Sequence, residues 1–111
     1  MSFDEELAGR VREQLAGAPG LTEKRMFGGL AFLVGGNMAV SASGQGGLLL
    51  RVDPEQTAEL TAGPAASVAV MRGRPMPGWL RVGAEHVRTA RELAEWVDRS
   101  VAFARTLPPK Q

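Results

Sequence analysis

Residues 25–40 read RMFGGLAFLVGGNMAV. Short apolar runs broken by glycine pairs are the signature of strands joined by tight turns. Gly35–Gly36–Asn37 supplies residues that accept positive φ, so Leu30–Val34 and Asn37–Ala42 are expected to form a hairpin. Gly28–Gly29 reads as a bend or bulge joining Lys24–Phe27 to Leu30–Val34 within one long bent strand. Met26 and Phe27 would then place one large side chain on each face. Downstream, SGQGG at 43–47 predicts a looser turn, and LLLRV at 48–52 closes the meander.

Outward from this core the period changes. Ser2 and Glu5 have capping-box spacing, and Phe3, Leu7, Val11 and Leu15 recur every four residues, which predicts a helix over about 4–16. After the meander, Asp53 is expected to cap a short helix over 53–61 with Pro54 in its first turn. Ala66–Met71 reads as a strand, 72–78 as a connection, and Trp79–Val82 as another strand. A last amphipathic helix is expected from about Glu85 to Thr106, its apolar stripe running from Val87 to Ala104. The order predicted is α-β(3)-α-β(2)-α. This is an α+β, two-layer domain with an antiparallel sheet and helices on one face. The uncovered face, or an edge strand, would need cover, which points to a symmetric homodimer.

The chain has 111 residues, 44% of them hydrophobic. One domain over 1–111 is expected, with its core at about 5–107 and PPKQ at 108–111 as a frayed tail. With 13 Lys and Arg against 12 Asp and Glu, no global field draws the molecule to nucleic acid or anionic lipid. There is no cysteine, which excludes disulfides, thiolate metal sites and thiol nucleophiles. The acidic start (Asp4, Glu5, Glu6) is unlike a signal peptide, and no apolar run reaches membrane-spanning length. A cytoplasmic protein without membrane association is the expectation.

Reactive chemistry is hard to find. Four glycines in FGGLAFLVGG could nest an anion, but no Gly-Lys-Ser/Thr and no helix N-terminus follows them. His86 is the sole histidine and lacks the partners that a triad or a metal site needs. The carboxylates mostly sit on helix faces and caps. No metal, no cofactor and no catalytic residue is predicted, and a non-enzyme is expected. The basic residues are more informative. Arg25, Arg51, Arg72, Arg74 and Arg81 lie in or beside the predicted sheet, and Arg72, Arg74 and Arg81 are candidate phosphate contacts. The loop PMPGW at 75–79 offers Met76 and Trp79 either as a partner contact or as cover for an open end of the core.

With these residues in place, the chain resembles the N-terminal domain of TfoX/Sxy-type proteins, regulators of natural competence in bacteria. The resemblance is carried by RMFGGLAFLVGGNMAV at 25–40, LLLRVD at 48–53 and PMPGWLRV at 75–82, and covers about Glu5 to Leu107. It implies an α-β(3)-α-β(2)-α fold similar to secretion-chaperone-like domains, often dimeric. Full-length competence regulators carry a further C-terminal helical domain and act with a transcription activator. This chain stops at Gln111, so a standalone N-terminal domain is the expectation. Its signature positions here are Arg25, Met26, Phe27, Gly28, Gly29, Arg51 and Asp53, and Arg25 is expected to join Arg51 or Asp53 in a polar cluster at one sheet end.

Three functions follow from this reading. The first is a non-enzymatic regulatory module that binds an unidentified protein partner. The second is a nucleic-acid-binding accessory protein using the arginines. The third is a small-anion binder or enzyme with Arg25, Asp53 and His86 converging on a pocket.

Overall fold

A computed structural model describes residues 4–26 and 28–109. The expected cap at Ser2, the stripe residue Phe3, and Phe27 lie outside the described residues. Helix α1 (Glu5–Gln14) is capped by Asp4, whose carboxylate accepts from the Leu7 backbone N–H at 3.0 Å. Strands β1 (Leu21–Met26), β2 (Gly29–Val34), β3 (Asn37–Ala42) and β4 (Leu48–Arg51) follow in antiparallel succession. A 3₁₀ turn (Pro54–Gln56), with Asp53 accepting from the Glu55 N–H, leads into α2 (Thr57–Leu60). Then come β5 (Ala66–Met71), β6 (Arg74–Val82), a second 3₁₀ turn (Ala84–His86) and α3 (Ala90–Ala104).

The α+β class and the antiparallel sheet are as expected, but the first run holds four strands rather than three. Met26 pairs with Gly29 in antiparallel register, so β1 and β2 are two strands of a hairpin and not one bent strand. Gly28, before β2, takes φ +75°, which glycine accepts without strain. Gly29 is needed for another reason: a Cβ on it would run into the Ala42 carbonyl oxygen. The connection predicted over 72–78 shrinks to Arg72–Gly73, both at positive φ, and most of that segment extends β6 to nine residues.

The last helix begins five residues later than its periodicity suggested. Thr89 and Glu92 form a reciprocal capping box that fixes the start at Ala90. Upstream, the Arg10 guanidinium takes the carbonyls of Val87 and Arg88, at 2.7 and 3.0 Å, so these acceptors serve α1 rather than a helix. At the far end, Asn37 donates to the Pro108 carbonyl at 2.9 Å, and residues 110–111 of the expected tail lie outside the described residues.

The sheet order is β1-β2-β3-β4-β6-β5. The chain crosses through α2 to the outer edge as β5, and β6 returns between β5 and β4. Phe32, Val40, Leu50 and Leu80 stand in register across four strands and are fully buried beneath α1 and α3. Leu7, Val11, Leu93, Val97 and Val101 pack onto this row. Truncating any large member to Ala would cost roughly 2–5 kcal/mol. No helix among the described residues is long and apolar enough to cross a membrane.

Candidate functional site

Successive strand residues point to opposite faces, so the rows between the core rows must face away from the helices. Lys24, Ala31, Ser41, Leu49, Arg81 and Ser67 form such a row, one residue per strand. Ala31, Met38, Leu49 and Ala69 are buried here in a second apolar cluster, with Met26, Leu33, Met71 and Trp79 half-buried against it.

Two irregularities build this face. Met38 and Val40 are two residues apart yet face opposite ways, because the register slips and Ala39 is an extra residue against β2. This bulge delivers Met38 to the open face beside its partner Leu33. Between β5 and β6, Val68 pairs with Leu80 but Val70 pairs with Pro75, so β6 makes an excursion over Met76–Trp79. The Gly78 N–H donates to Thr57 Oγ1 and its carbonyl accepts from the Val52 N–H, both at 2.8 Å. That anchoring directs Met76 and Trp79 onto the open face.

The face is concave. Two depressions of about 400 and 410 Å³ lie on it, and both are bordered by Met26, Leu49 and Met71. Met26 belongs to one edge strand and Met71 to the other, which in a flat sheet would stand about 24 Å apart. They occupy diagonally opposed corners, and the sheet's twist lifts such corners toward the same side.

The electrostatics of this face have one sign. Lys24 and Arg51 border one depression, Arg72 and Arg81 the other, and among the described residues no carboxylate lines either. Arg81 donates to Ser43 Oγ at 3.2 Å. Arg51 stacks on Trp79, its register partner, and on Phe103 of α3. The bidentate ion pair, Arg12 to Glu23 at 2.8 Å, lies on the helix side and ties α1 to edge strand β1. Its hydrogen bonds, more than the charge itself, hold the Glu23 carboxyl below its ordinary pKa and raise that of Arg12.

The residues singled out from sequence divide accordingly. Met26, Arg51, Met76, Trp79, Arg72 and Arg81 come together on the concave face. Arg25 does not join them: it pairs with Leu30, a core-face position, on the strand three removed from Arg51. The expected cluster of Arg25 with Arg51 or Asp53 is therefore not formed, since alternation sends Arg25 to the helix side. Asp53 caps its own turn, and His86 lies in the turn after Val82, at the end of the sheet away from Asp53. Arg25, Asp53 and His86 therefore share no pocket. Arg74 is exposed beside the β5–β6 turn, Gly28 and Gly29 shape the β1–β2 hairpin, and Phe27 lies outside the described residues. Lys24, Leu33, Met38, Leu49 and Met71 were not singled out as site residues. Their signal was compositional: four of the chain's five methionines line this one face.

Among the described residues no group of three His, Cys, Asp or Glu could hold a metal ion. The arrangement offers apolar contact surface and cationic hydrogen-bond donors, the chemistry of docking.

Comparison with curated proteins finds no match. The family described as the TfoX N-terminal domain matches residues 13–104, from the last two residues of α1 through the whole sheet to the end of α3. With the greater part of its length matched, and with an α+β fold built on one antiparallel sheet, the chain belongs to the TfoX N-terminal domain family.

Proposed function

We propose that this chain is a regulatory domain that acts by binding a protein partner on the concave face of its sheet. The observation that carries this reading is the second apolar cluster, which no helix among the described residues covers and which basic side chains border. Half-buried Met26, Leu33, Met71 and Trp79 gathered over this buried floor give the concave, mostly apolar lining that binding sites use. Membership in a family of regulatory domains supports the same reading.

Site-specific photo-crosslinking in the native cells tests it. A photoreactive residue at position 71 or 76 should capture a defined protein, while one at Arg91, on the far side of α3, should not. Capture of nucleic acid from 71 and 76, or of the same proteins from all three positions, would refute the reading.

Self-association is part of the proposal. Edge strand β1 carries Glu23, Lys24 and Arg25, which discourage pairing, but edge strand β5 reads ASVAVM and has no charge. Val70 on it is 57% exposed. Antiparallel pairing of β5 with a second copy would cover this edge. The mass in solution should therefore fall from dimer to monomer in Val70→Lys; an unchanged mass would refute it.

A further inference from the structure

Resting on that reading, we infer that the occupant of the concave face is an acidic amphipathic helix of the partner. Three features of the face carry this.

The first is the methionines. Met26, Met38, Met71 and Met76 come from four different strands and converge on one concavity. Unbranched, polarizable thioethers can repack around differently shaped apolar side chains, which suits a surface that receives the ridged stripe of a helix. A partner strand would instead seek a sheet edge, where unpaired backbone groups lie.

The second is where the charge sits. Lys24 and Arg51 border one depression and Arg72 and Arg81 the other, with the apolar floor at Leu49 shared between them. A single-headed amphiphile such as a fatty acid would satisfy one end only. An amphipathic helix flanked by carboxylates satisfies both, its apolar stripe on the floor and its acids toward the rims.

The third is shape and size. The two depressions are open and share Met26, Leu49 and Met71 as a common border, so they lie side by side on one face. The molecule measures 32 × 30 × 28 Å, and a helix of about 18 residues, roughly 27 Å long, would cross it. Nucleic acid fits less well. The floor shared at Leu49 is apolar, and among the described aromatic residues only Trp79 borders either depression, stacked beneath Arg51.

The test uses the full chain labelled with ¹³C at the methionine methyls. It is titrated with a synthetic helical peptide of about 18 residues, with Leu at i, i+3, i+4 and i+7 spacing and Glu on the flanks. Matched titrations use the same peptide with Lys for Glu and a short duplex DNA. The methyl signals of Met26, Met38, Met71 and Met76 and the Trp79 indole N–H should shift saturably with the acidic peptide. The Trp96 indole, on the helix side, should not. The Lys peptide should bind at least about tenfold more weakly, and the variant Lys24→Glu/Arg72→Glu, altering two exposed side chains, should lose that preference.

Equal binding of both peptides would overturn the acidic commitment and leave a protein-binding face standing. Shifts produced by DNA but by neither peptide would overturn this inference and the broader reading together. If no titrant moves these signals, the helix inference is overturned, and the crosslinking result judges the broader reading separately.

Discussion

Arg51 stacks over Trp79, the residue directly opposite it on β6, with its Cζ 5.2 Å from the ring centroid. The same guanidinium stands 5.8 Å from the ring of Phe103, in the last turn of α3. One side chain thus links β4, β6 and the C-terminal turn of the last helix, and it does so at the rim of the concave face. A half-buried cation against aromatic rings contributes about 1 kcal/mol, between the exposed and the desolvated cases. Arg51→Ala should lower unfolding stability by about that amount, and Arg51→Lys by less, because an ammonium lacks the planar face that stacks. Urea denaturation followed by circular dichroism measures both. A neutral Arg51→Ala would show that the stacking contributes nothing to the fold.

Gly29 should tolerate nothing larger. Its Cβ would meet the Ala42 carbonyl oxygen, and Gly44 N would be 3.2 Å away, both backbone atoms of the neighbouring strand and its turn. Backbone cannot swing aside as a side chain can, so Gly29→Ala should cost about 3 kcal/mol. Gly28→Asn one residue earlier should cost much less, since asparagine accepts the left-handed conformation and a Cβ there meets nothing within 4 Å. Comparable losses in the two variants would show that the strands do not approach closely at Gly29.

Ser100 is fully buried in α3, and its hydroxyl has no hydrogen-bond partner among the described residues. A buried polar group left unpaired opposes folding, so removing it should help. Ser100→Ala is expected to gain up to about 1 kcal/mol, read as a rise in midpoint temperature. A fall in stability would mean that the hydroxyl has a partner or that its volume matters more.

The Arg12–Glu23 pair predicts a pH signature. Glu23 has its pKa lowered in the folded state, chiefly by hydrogen bonds from Arg12. A depressed carboxylate contributes stability above its unfolded pKa, and loses that contribution as pH falls through the folded value. The midpoint of the wild type should therefore exceed that of Glu23→Gln at neutral pH by no more than a few degrees, because the pair is largely exposed. The difference should shrink as pH falls below about 4.3, the ordinary glutamate value. A gap that widens with acidification would contradict the assigned direction.

Much of this protein is written locally. Gly35–Gly36 made the β2–β3 hairpin legible, because both central residues of such a turn need positive φ and these have it, at 60° and 82°. Asp53–Pro54 announced the turn into α2 in the same way, through a cap and a preset φ. The spacing of Leu7, Val11 and Leu15, and of Val97, Val101 and Ala104, marked the helix faces that are in fact buried. Each of these signals lies within a few residues of the structure it specifies.

The concave face was not legible in that way, because its parts are distant in sequence and its geometry depends on register. Whether Gly28–Gly29 bends one strand or reverses the chain depends on whether β1 finds β2, and alternation alone does not state this. The extra residue at Ala39 and the excursion at Met76–Trp79 each reassign side chains from one face to the other. Only pairing with a neighbouring strand reveals such a shift. The insertion of β6 between β4 and β5, and the twist that lifts Met26 and Met71 toward each other, are likewise properties of the whole sheet. Local sterics and periodicity marked most of the helices and strands and the Asp53 cap, whereas the Asp4 cap of α1 and the Thr89–Glu92 box of α3 emerge only once the helix starts are known. The tertiary structure alone decided that four methionines and four cations share one open surface, because strand order and register are settled by contacts between residues far apart in the chain.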